Sequence, residues 1–375
     1  MKCPSITDEP FNARPDNTPA GNRQAIIEAI AYLRSRYGGS MFIPDERFEI
    51  DQPIIVPPFV NYYSGVHLFG MSRRATITAA LGFPQFDDGE REASLFRFEG
   101  SGCKVSGFTL DGQNQVVRGV TFSCENDGFH QNSVRDMKLV SLNASNIVNE
   151  GAWNLQILDN EFLIHLPVWA IECKYNGTNS ILQGNDVNGG QGIFIGKPAN
   201  RQQNEGTIIN DNGILTPHGD GLVIEGGLEI YVTNNVIDQI GRRGLFVPSA
   251  GKGISGLKVT NNWIVGGTNQ PAVEVEGDNE DMLFVGNTIE NGCVTSFNGQ
   301  VGGGIHRPVF RDNRFRGRVP HDWEQFLALA VYGAKSAFNF GTGRIYIGGN
   351  CPDWNSVGDR FHTASNWGSA HRLGG

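Results

Sequence analysis

The segment from His218 to Glu229 contains one imidazole and three carboxyl groups, at Asp220, Glu225 and Glu229. Cleavage of a glycosidic bond requires two carboxyl groups, about 5–5.5 Å apart for retention of configuration and about 6.5–9.5 Å apart for inversion. Asp220 precedes a short apolar run and Glu225 ends it, so their pairing requires a turn that folds back. We therefore take Asp220, Glu225 and Glu229 as candidate catalytic acids, and His218 as a candidate substrate-binding residue.

Short apolar runs, each beginning with a small residue, recur on both sides of this segment. If the first and third apolar residues point inward, the residues between them point outward, because strand side chains alternate. The outward positions form a strip of aromatic and acidic side chains. Its candidate substrate-binding residues are Glu172, Phe194, Phe246, Glu274 and Glu276, with Arg243 directly before one of the runs. Glu225 and Glu276 are expected two layers apart, roughly 10 Å.

Two other functions fit the same strip. A polysaccharide lyase needs a Lys or Arg base and often calcium held by acidic residues. The candidates are Lys197, Arg201, Arg242, Arg243 and Lys252, with Asp278, Glu280 and Asp281 nearby. A non-catalytic spike or adhesin would use the strip only to bind glycan. Apart from calcium in the lyase, we expect no cofactor and no metal, because the six Cys residues include no C-x-x-C pair.

A repeated phrase indicates how these residues are positioned. Each copy has an apolar residue, two further residues, an Asn, one residue and a second apolar residue. The Asn positions are 160, 185, 212, 235, 262, 287 and 313, with a further candidate at Asn350. Successive Asn residues are 25, 27, 23, 27, 25 and 26 apart, then 37. A period in this range is typical of stacked repeats, and an Asn at the same turn of each coil can form a hydrogen-bonded ladder.

The sequence therefore predicts an all-β fold, a right-handed parallel β-helix with an N-terminal capping helix. We expect one domain over residues 1–375, with the extension and helix in 1–40, the coils in 41–315 and a C-terminal cap in 316–375. Asn22 is the expected N-cap of the first helix, and Gly38-Gly39 its end. An apolar stretch from Trp323 to Tyr332 is a second helical candidate.

Composition excludes several classes of partner. The net charge of −9 and the pI near 5.4 argue against nucleic acid. The sequence contains no apolar run of about 18 residues, so it predicts no membrane-spanning segment. The first residues lack the apolar core of a signal peptide. Location stays open between the cytoplasm and export with the signal removed.

The opening of the chain resembles that of pectate-lyase-like right-handed parallel β-helix proteins. The residues that carry this resemblance are the helix ending in Gly38-Gly39, Pro44 and the strand Phe48-Glu49-Ile50. In those families a Gly-Asp-Gly-x-x-Asp phrase usually precedes the helix, whereas this chain has Pro15-Asp-Asn-Thr-Pro-Ala-Gly21. The resemblance implies the fold rather than an activity. It also implies a homotrimer, which is common among such proteins.

A second resemblance concerns the candidate acids. Three parts of the sequence look like the inulin fructotransferase family, glycoside hydrolase family 91. They are the phrase Asp220-Gly-Leu-Val-Ile with the later Val-Thr-Asn-Asn235, the segment Gly119–His130, and Ser72-Arg73. That family implies a trimeric β-helix that cuts fructans with an Asp and a Glu. The C-terminal third shows no match.

The resemblance places the two acids on particular residues of this chain. The Asp falls on Asp220. The Glu falls on Glu229 or Glu225, because this chain is shorter there. A register one coil earlier places the Glu on Glu205, with Gln191 where the Asp would be.

Overall fold

The computed structural model describes residues 3–58, 65–87, 91–124, 131–175, 177–196, 203–216, 218–248, 252–268, 270–291, 293–296, 304–316, 324–328, 331–347, 355–367 and 372–374. The chain divides into two compact units, Met1–Gly190 and Gln191–Gly375, called here unit 1 and unit 2. A single domain over the whole chain stays a prediction.

The elements of unit 1 are one helix and short strands. They are α1 (Pro19–Ser35), β1 (Gly39–Ile43), β2 (Arg47–Ile50), β3 (Ile54–Val56), β4 (Val66–Gly70), β5 (Thr76–Ala79), β6 (Phe86–Asp87), β7 (Arg91–Glu92), β8 (Ser94–Phe98), β9 (Lys104–Ser106), β10 (Thr109–Gln115), β11 (Arg118–Ser123), β12 (Ser133–Arg135), β13 (Lys138–Leu142), β14 (Ile147–Glu150), β15 (Gln156–Leu158), β16 (Glu161–Tyr175) and β17 (Ile181–Gln183). The next strand, β18 (Asp186–Ile195), contains the boundary between the units.

The described elements of unit 2 are strands. They are β19 (Ile208–Asn210), β20 (Gly213–Leu215), β21 (Leu222–Ile224), β22 (Gly227–Leu228), β23 (Tyr231–Thr233), β24 (Val236–Asp238), β25 (Leu245–Val247), β26 (Lys252–Ser255), β27 (Lys258–Thr260), β28 (Trp263–Val265), β29 (Val273–Glu276), β30 (Asp278–Glu280), β31 (Leu283–Val285), β32 (Thr288–Glu290), β33 (Cys293–Ser296), β34 (Ile305–His306), β35 (Val309–Arg311), β36 (Arg314–Arg316), β37 (Glu324–Ala328), β38 (Val331–Tyr332), β39 (Lys335–Ala337), β40 (Phe340–Ile347), β41 (Asn355–Val357), β42 (Arg360–Trp367) and β43 (Arg372–Gly374).

Helix α1 packs against the first strands, β1 to β4, as expected of an N-terminal cap. Its N-cap is Thr18, whose Oγ1 accepts a hydrogen bond from the Gly21 amide at 3.1 Å. The N-cap predicted at Asn22 is wrong, because Asn22 lies inside the helix and is fully buried. Its Oδ1 accepts a hydrogen bond from the Arg14 amide at 2.9 Å, which secures the preceding segment. No helix in the described part of the chain has the length and apolarity needed to cross a bilayer.

Each unit is a stack of coils whose strands pair in parallel. In unit 1, one sheet contains β1, β4, β9, β12, β15 and β17. Its register stacks one fully buried apolar residue per coil: Met41, Leu68, Val105, Val134, Ile157 and Leu182. Two further series, β2–β5–β10–β13–β16 and β3–β8–β11–β14–β16, form the other walls.

Unit 2 repeats this arrangement. Its walls are β19–β23–β27–β31–β35–β39–β41–β43, β20–β24–β28–β32–β36–β40–β42 and β18–β21–β25–β29–β33–β37–β40. A smaller sheet, β22–β26–β30–β34–β38, lies beside them. The predicted fold class, a parallel β-helix with an N-terminal helix, is confirmed.

The predicted Asn ladder is present in both units. In unit 1, Asn160 Nδ2 donates to Asn185 Oδ1 at 2.9 Å. In unit 2, the same bond links each successive pair at 2.9–3.0 Å along Asn212, Asn235, Asn262, Asn287, Asn313 and Asn339. All of these side chains are buried. The Asn residues therefore shape the turn, as predicted from their spacing.

The residue before each ladder Asn adopts a left-handed conformation, with φ between 54° and 68° in unit 2. The residues are Asp211, Asn234, Asn261, Gly286, Asp312 and Phe338. Gly, Asn and Asp tolerate this conformation best, because Gly lacks Cβ and the short polar side chains can bond locally. Phe338 is the exception to this preference.

The C-terminal segment differs from the sequence prediction in two respects. Parallel pairing continues past residue 316 as far as β43. The next ladder residue after Asn313 is Asn339, and Asp359 Oδ1 then accepts the Asn339 amide at 2.8 Å. Asn350 lies outside the described residues.

The second predicted helix is wrong wherever the structure describes it. Glu324–Ala328 and Val331–Tyr332 are strands, and β37 pairs with β33 and β40. Parallel neighbours on both sides override the helical propensity of the apolar stretch, since propensity is a weak local preference. Trp323 lies outside the described residues.

Replacing Gly119 with Ala is expected to destabilise unit 1. An added Cβ would lie 2.8 Å from Asn146 O and 2.8 Å from a Leu139 methyl carbon. Overpacking of this kind typically costs about 1–3 kcal/mol. Thermal and urea unfolding of G119A should show that loss, and an unchanged midpoint would mean that the wall relaxes freely around the methyl group.

Candidate functional site

The outward strip of unit 2 forms one column across adjacent coils. The register pairs Phe194 with Val223, Val223 with Phe246, and Phe246 with Glu274. The neighbouring inward residues on these strands are fully or almost fully buried, as side-chain alternation requires. The outward orientation predicted for this column agrees with the structure, whereas a substrate-binding role for its residues stays a prediction.

Asp220 lies at the start of this column and is bound by an arginine of the next coil. Arg243 donates to Asp220 Oδ1 from its amide at 3.0 Å and from Nε at 2.8 Å, and to Oδ2 from Nη2 at 3.1 Å. Arg242 Nη1 lies 3.6 Å from the same Oδ2. Asp220 is 6% exposed, so this carboxylate is held within protein contacts rather than open to a ligand.

Arg243 connects Asp220 to the rest of the column. Its Nη1 donates to Glu274 Oε2 at 3.2 Å, and its guanidinium carbon lies 3.4 Å from the centre of the Phe246 ring. Burial lowers the pKa of Arg243, but the hydrogen bonds and charges of Asp220 and then Glu274 outweigh burial and leave it raised. One face of Phe246 is therefore covered by a permanent cation, and Arg243 is a poor candidate for the base of a lyase.

Glu274 is the carboxyl group of this column whose pKa lies above its ordinary value. Burial raises the pKa of this carboxyl, and the Arg243 hydrogen bond and charge oppose that effect. The negative charges of Glu276 and Asp220 raise the pKa further, and the net direction is upward. Glu276 lies two residues along the same strand, on the same outward face, and is half-buried. The two carboxyl-bearing positions are about 7 Å apart along the strand.

The other predicted site residues lie at different places. Glu225 follows β21, where its amide donates to Ile195 O at 2.8 Å. Glu229 is exposed in the turn after β22, with φ 52°, and His218 is exposed in the turn before Asp220. Glu172 belongs to unit 1, where it pairs in register with Val148. The structure thus joins Asp220, Arg243, Phe246 and Glu274 by contacts and places Glu229 in a turn beyond this column.

Two of the acidic residues considered for calcium form ion pairs with Arg307, which lies 3.1 Å from Glu280 and 2.8 Å from Asp281. The third, Asp278, lies 3.6 Å from His306 Nε2. Among the described residues, no group of three His, Cys, Asp or Glu side chains is placed to hold a metal ion. Lys197 and Arg201 lie outside the described residues.

Comparison with known proteins defines the fold class. The sequence matches no protein-family model and no curated protein. The Agl-KA catalytic domain is 15% identical with a TM-score of 0.73, over 96% of this chain and 69% of that one. The mannuronan C-5 epimerase AlgE6 A-module of Azotobacter vinelandii is 13% identical with a TM-score of 0.55, over 99% and 98%. The Streptococcus pneumoniae surface protein and adhesin PfbA is 12% identical with a TM-score of 0.60, over 99% and 100%.

These similar structures are right-handed parallel β-helix proteins, and the likeness shows that this chain shares their fold. The fold that the resemblance of its opening implied, a right-handed parallel β-helix, is thereby confirmed. The narrower resemblance to inulin fructotransferases stays a prediction.

Sequence reasoning missed the ion pair at the start of the column. The phrases Asp220-Gly-Leu and Arg243-Gly-Leu occupy equivalent positions in consecutive coils. Aligning them would have placed opposite charges one layer apart. The same alignment places Glu274 opposite Phe246, one further layer along, and its contact with Arg243 appears only in the structure.

Proposed function

We propose that the protein cleaves glycosidic bonds of a carbohydrate polymer bound along the outward column of unit 2, with Glu274 as the proton donor. The observation that carries this proposal is the pairing of a carboxyl whose pKa is raised, Glu274, with Glu276 on the same outward face. A glycosidase needs one acid that stays protonated and one carboxylate that stays ionised.

The proposed mechanism is a single displacement. Glu274 and Glu276 lie on the same face of β29, and we place a water molecule between the Glu276 carboxylate and the sugar, as in inverting enzymes. Glu276 removes a proton from that water as its oxygen attacks the anomeric carbon. Glu274 donates its proton to the leaving oxygen as the glycosidic bond breaks.

Asp220 has a supporting role in this proposal. Both of its oxygens accept hydrogen bonds from Arg243, so it holds the guanidinium that in turn contacts Glu274. Glu225 and Phe194 lie further along the outward surface, where we place the neighbouring sugar units of the polymer. We assign no catalytic step to Glu229.

One similar structure supports a carbohydrate polymer as the substrate class, because it is named for its action on mannuronan. Another is described as a surface adhesin, which matches the non-catalytic alternative. The sequence resemblance suggests a fructan, and it also suggests that the active form is a trimer. The fructan substrate and the trimeric active form are therefore parts of this proposal.

A panel of purified polysaccharides tests the proposal, with the products identified by mass. The panel should include inulin, levan and mannuronan. We expect shorter saccharides without new ultraviolet absorbance from at least one polymer. Unsaturated, absorbing products would indicate a lyase instead. Binding without products from any polymer would indicate a glycan-binding spike or adhesin.

A further inference from the structure

A polar cluster on the first sheet of unit 1 has no part in the function proposed above. His67 on β4 lies in register with Ser40 on β1 and with Lys104 on β9. His67 Nε2 lies 2.8 Å from the Oγ of Ser106, and His67 Nδ1 lies 3.4 Å from the Oγ of Ser40. One imidazole thus connects hydroxyl groups of two other coils, and all three side chains are half-buried.

This geometry matches that of an activated serine. A serine hydroxyl is a weak nucleophile until an adjacent base accepts its proton, and the base needs a third group to orient it. When Ser40 Oγ accepts a hydrogen bond from His67 Nδ1, the lone pair of Nε2 faces the Ser106 hydroxyl. The distance of 2.8 Å is within the range for direct proton transfer.

The surroundings favour the neutral, basic form of the imidazole. Burial lowers the pKa of His67, and the positive charge of Lys104 lowers it further. Lys104 is exposed and lies two residues before Ser106 on the same face of β9, where a cation can stabilise an oxyanion.

An apolar surface lies beside the imidazole. The Phe69 ring is centred 5.3 Å from that of His67, and the Phe42 ring is 5.6 Å beyond it. Both rings are half-buried, so part of their surface is open. They can accept the carbon atoms of a small acyl group.

We propose that Ser106 and His67 form a nucleophile–base pair that hydrolyses carboxylic esters. Ser106 Oγ bonds to the carbonyl carbon while its proton passes to His67 Nε2. The ester C–O bond then breaks, and the departing alkoxide takes that proton and leaves as the alcohol. Water attacks the acyl-Ser106 ester in the same way, giving up a proton through His67, and it releases the carboxylic acid and regenerates the Ser106 hydroxyl.

A fluorophosphonate probe with mass mapping tests the nucleophile, and hydrolysis of p-nitrophenyl acetate tests turnover. We expect a single adduct on Ser106 in the wild-type chain. Ser106→Ala should remove the adduct, and His67→Gln should slow both reactions by about 10²-fold or more. Ser133→Ala is the matched control, because Ser133 is a half-buried serine of the same sheet in register with Lys104.

Two results would overturn this inference. The first is a wild-type chain that gives no Ser106 adduct and hydrolyses the ester no faster than buffer. The second is an equal labelling rate in His67→Gln, which would make the hydrogen bond purely structural. Neither result depends on the polysaccharide panel, so this inference and the proposed glycosidic cleavage can fail separately. Melting curves of each variant report whether the sheet is intact.

Discussion

Replacing Glu274 with Gln is expected to lower kcat for glycosidic cleavage by about 10²–10⁴-fold, the usual contribution of a positioned proton donor. Gln has the same size, and its carbonyl oxygen can still accept the 3.2 Å hydrogen bond from Arg243. It cannot release a proton to the leaving oxygen. KM should change little, because the contacts with bound polymer are kept.

The pH profile gives a second measurement of the same role. Only the protonated form of Glu274 can act, so kcat should fall as pH rises through its pKa. Burial raises that pKa, which moves the falling limb to a higher pH than an ordinary glutamate would give. Residual activity of Glu274→Gln should lack this limb.

Glu290→Gln is the matched control for this substitution. Glu290 is a half-buried strand carboxylate of unit 2 that pairs with Arg316 at 3.5 Å on another wall. Its variant should keep both the wild-type kcat and the wild-type pH profile. A Glu274→Gln enzyme with wild-type kcat would exclude Glu274 as the proton donor.

The sequence predicted those parts of the fold that follow from regular spacing. The Asn phrases gave the ladder, and alternation gave the outward column through Phe194, Phe246 and Glu274. Both depend on repeated backbone geometry, in which each coil imposes the same register on the next. A regular pattern of residues is then enough to locate them.

Side-chain alternation alone does not reveal the ion pair at Asp220. Asp220 and Arg243 lie in turns, where no alternation rule gives the direction of a side chain. From the sequence alone, an isolated Asp before a strand is therefore a candidate catalytic acid. The structure instead shows its carboxylate holding Arg243, and the acid with the raised pKa is Glu274.

Departures from the repeated phrase explain the remaining differences. The copy at Asn339 departs from the phrase, because Ser336 and Gly341 occupy its two apolar positions. The contact between His67 and Ser106 is diagonal, since the residue opposite Ser106 in the register is Phe69. Diagonal contacts depend on side-chain rotamers, which spacing does not specify.

Replacing Asn262 with Ala is expected to destabilise unit 2 by about 2–6 kcal/mol, from about 1–3 kcal/mol for each of two buried N–H bonds that lose their acceptor. Asn262 Oδ1 accepts the amide of Asn235 at 2.8 Å and its Nδ2 at 2.9 Å. The substitution also removes the donor to Val232 O at 2.9 Å. Water cannot replace these partners easily, because Asn262 is 2% exposed.

Thermal and urea unfolding of Asn262→Ala should show this loss as a large drop in the transition midpoint. Asn261→Gly is the matched control, since it deletes the neighbouring amide at an exposed position whose φ of 57° suits Gly. Its midpoint should stay close to that of the wild type. If the two variants unfolded at the same midpoint, the ladder would not be a main source of stability in unit 2, and the buried Asn residues would only fix the shape of the turn.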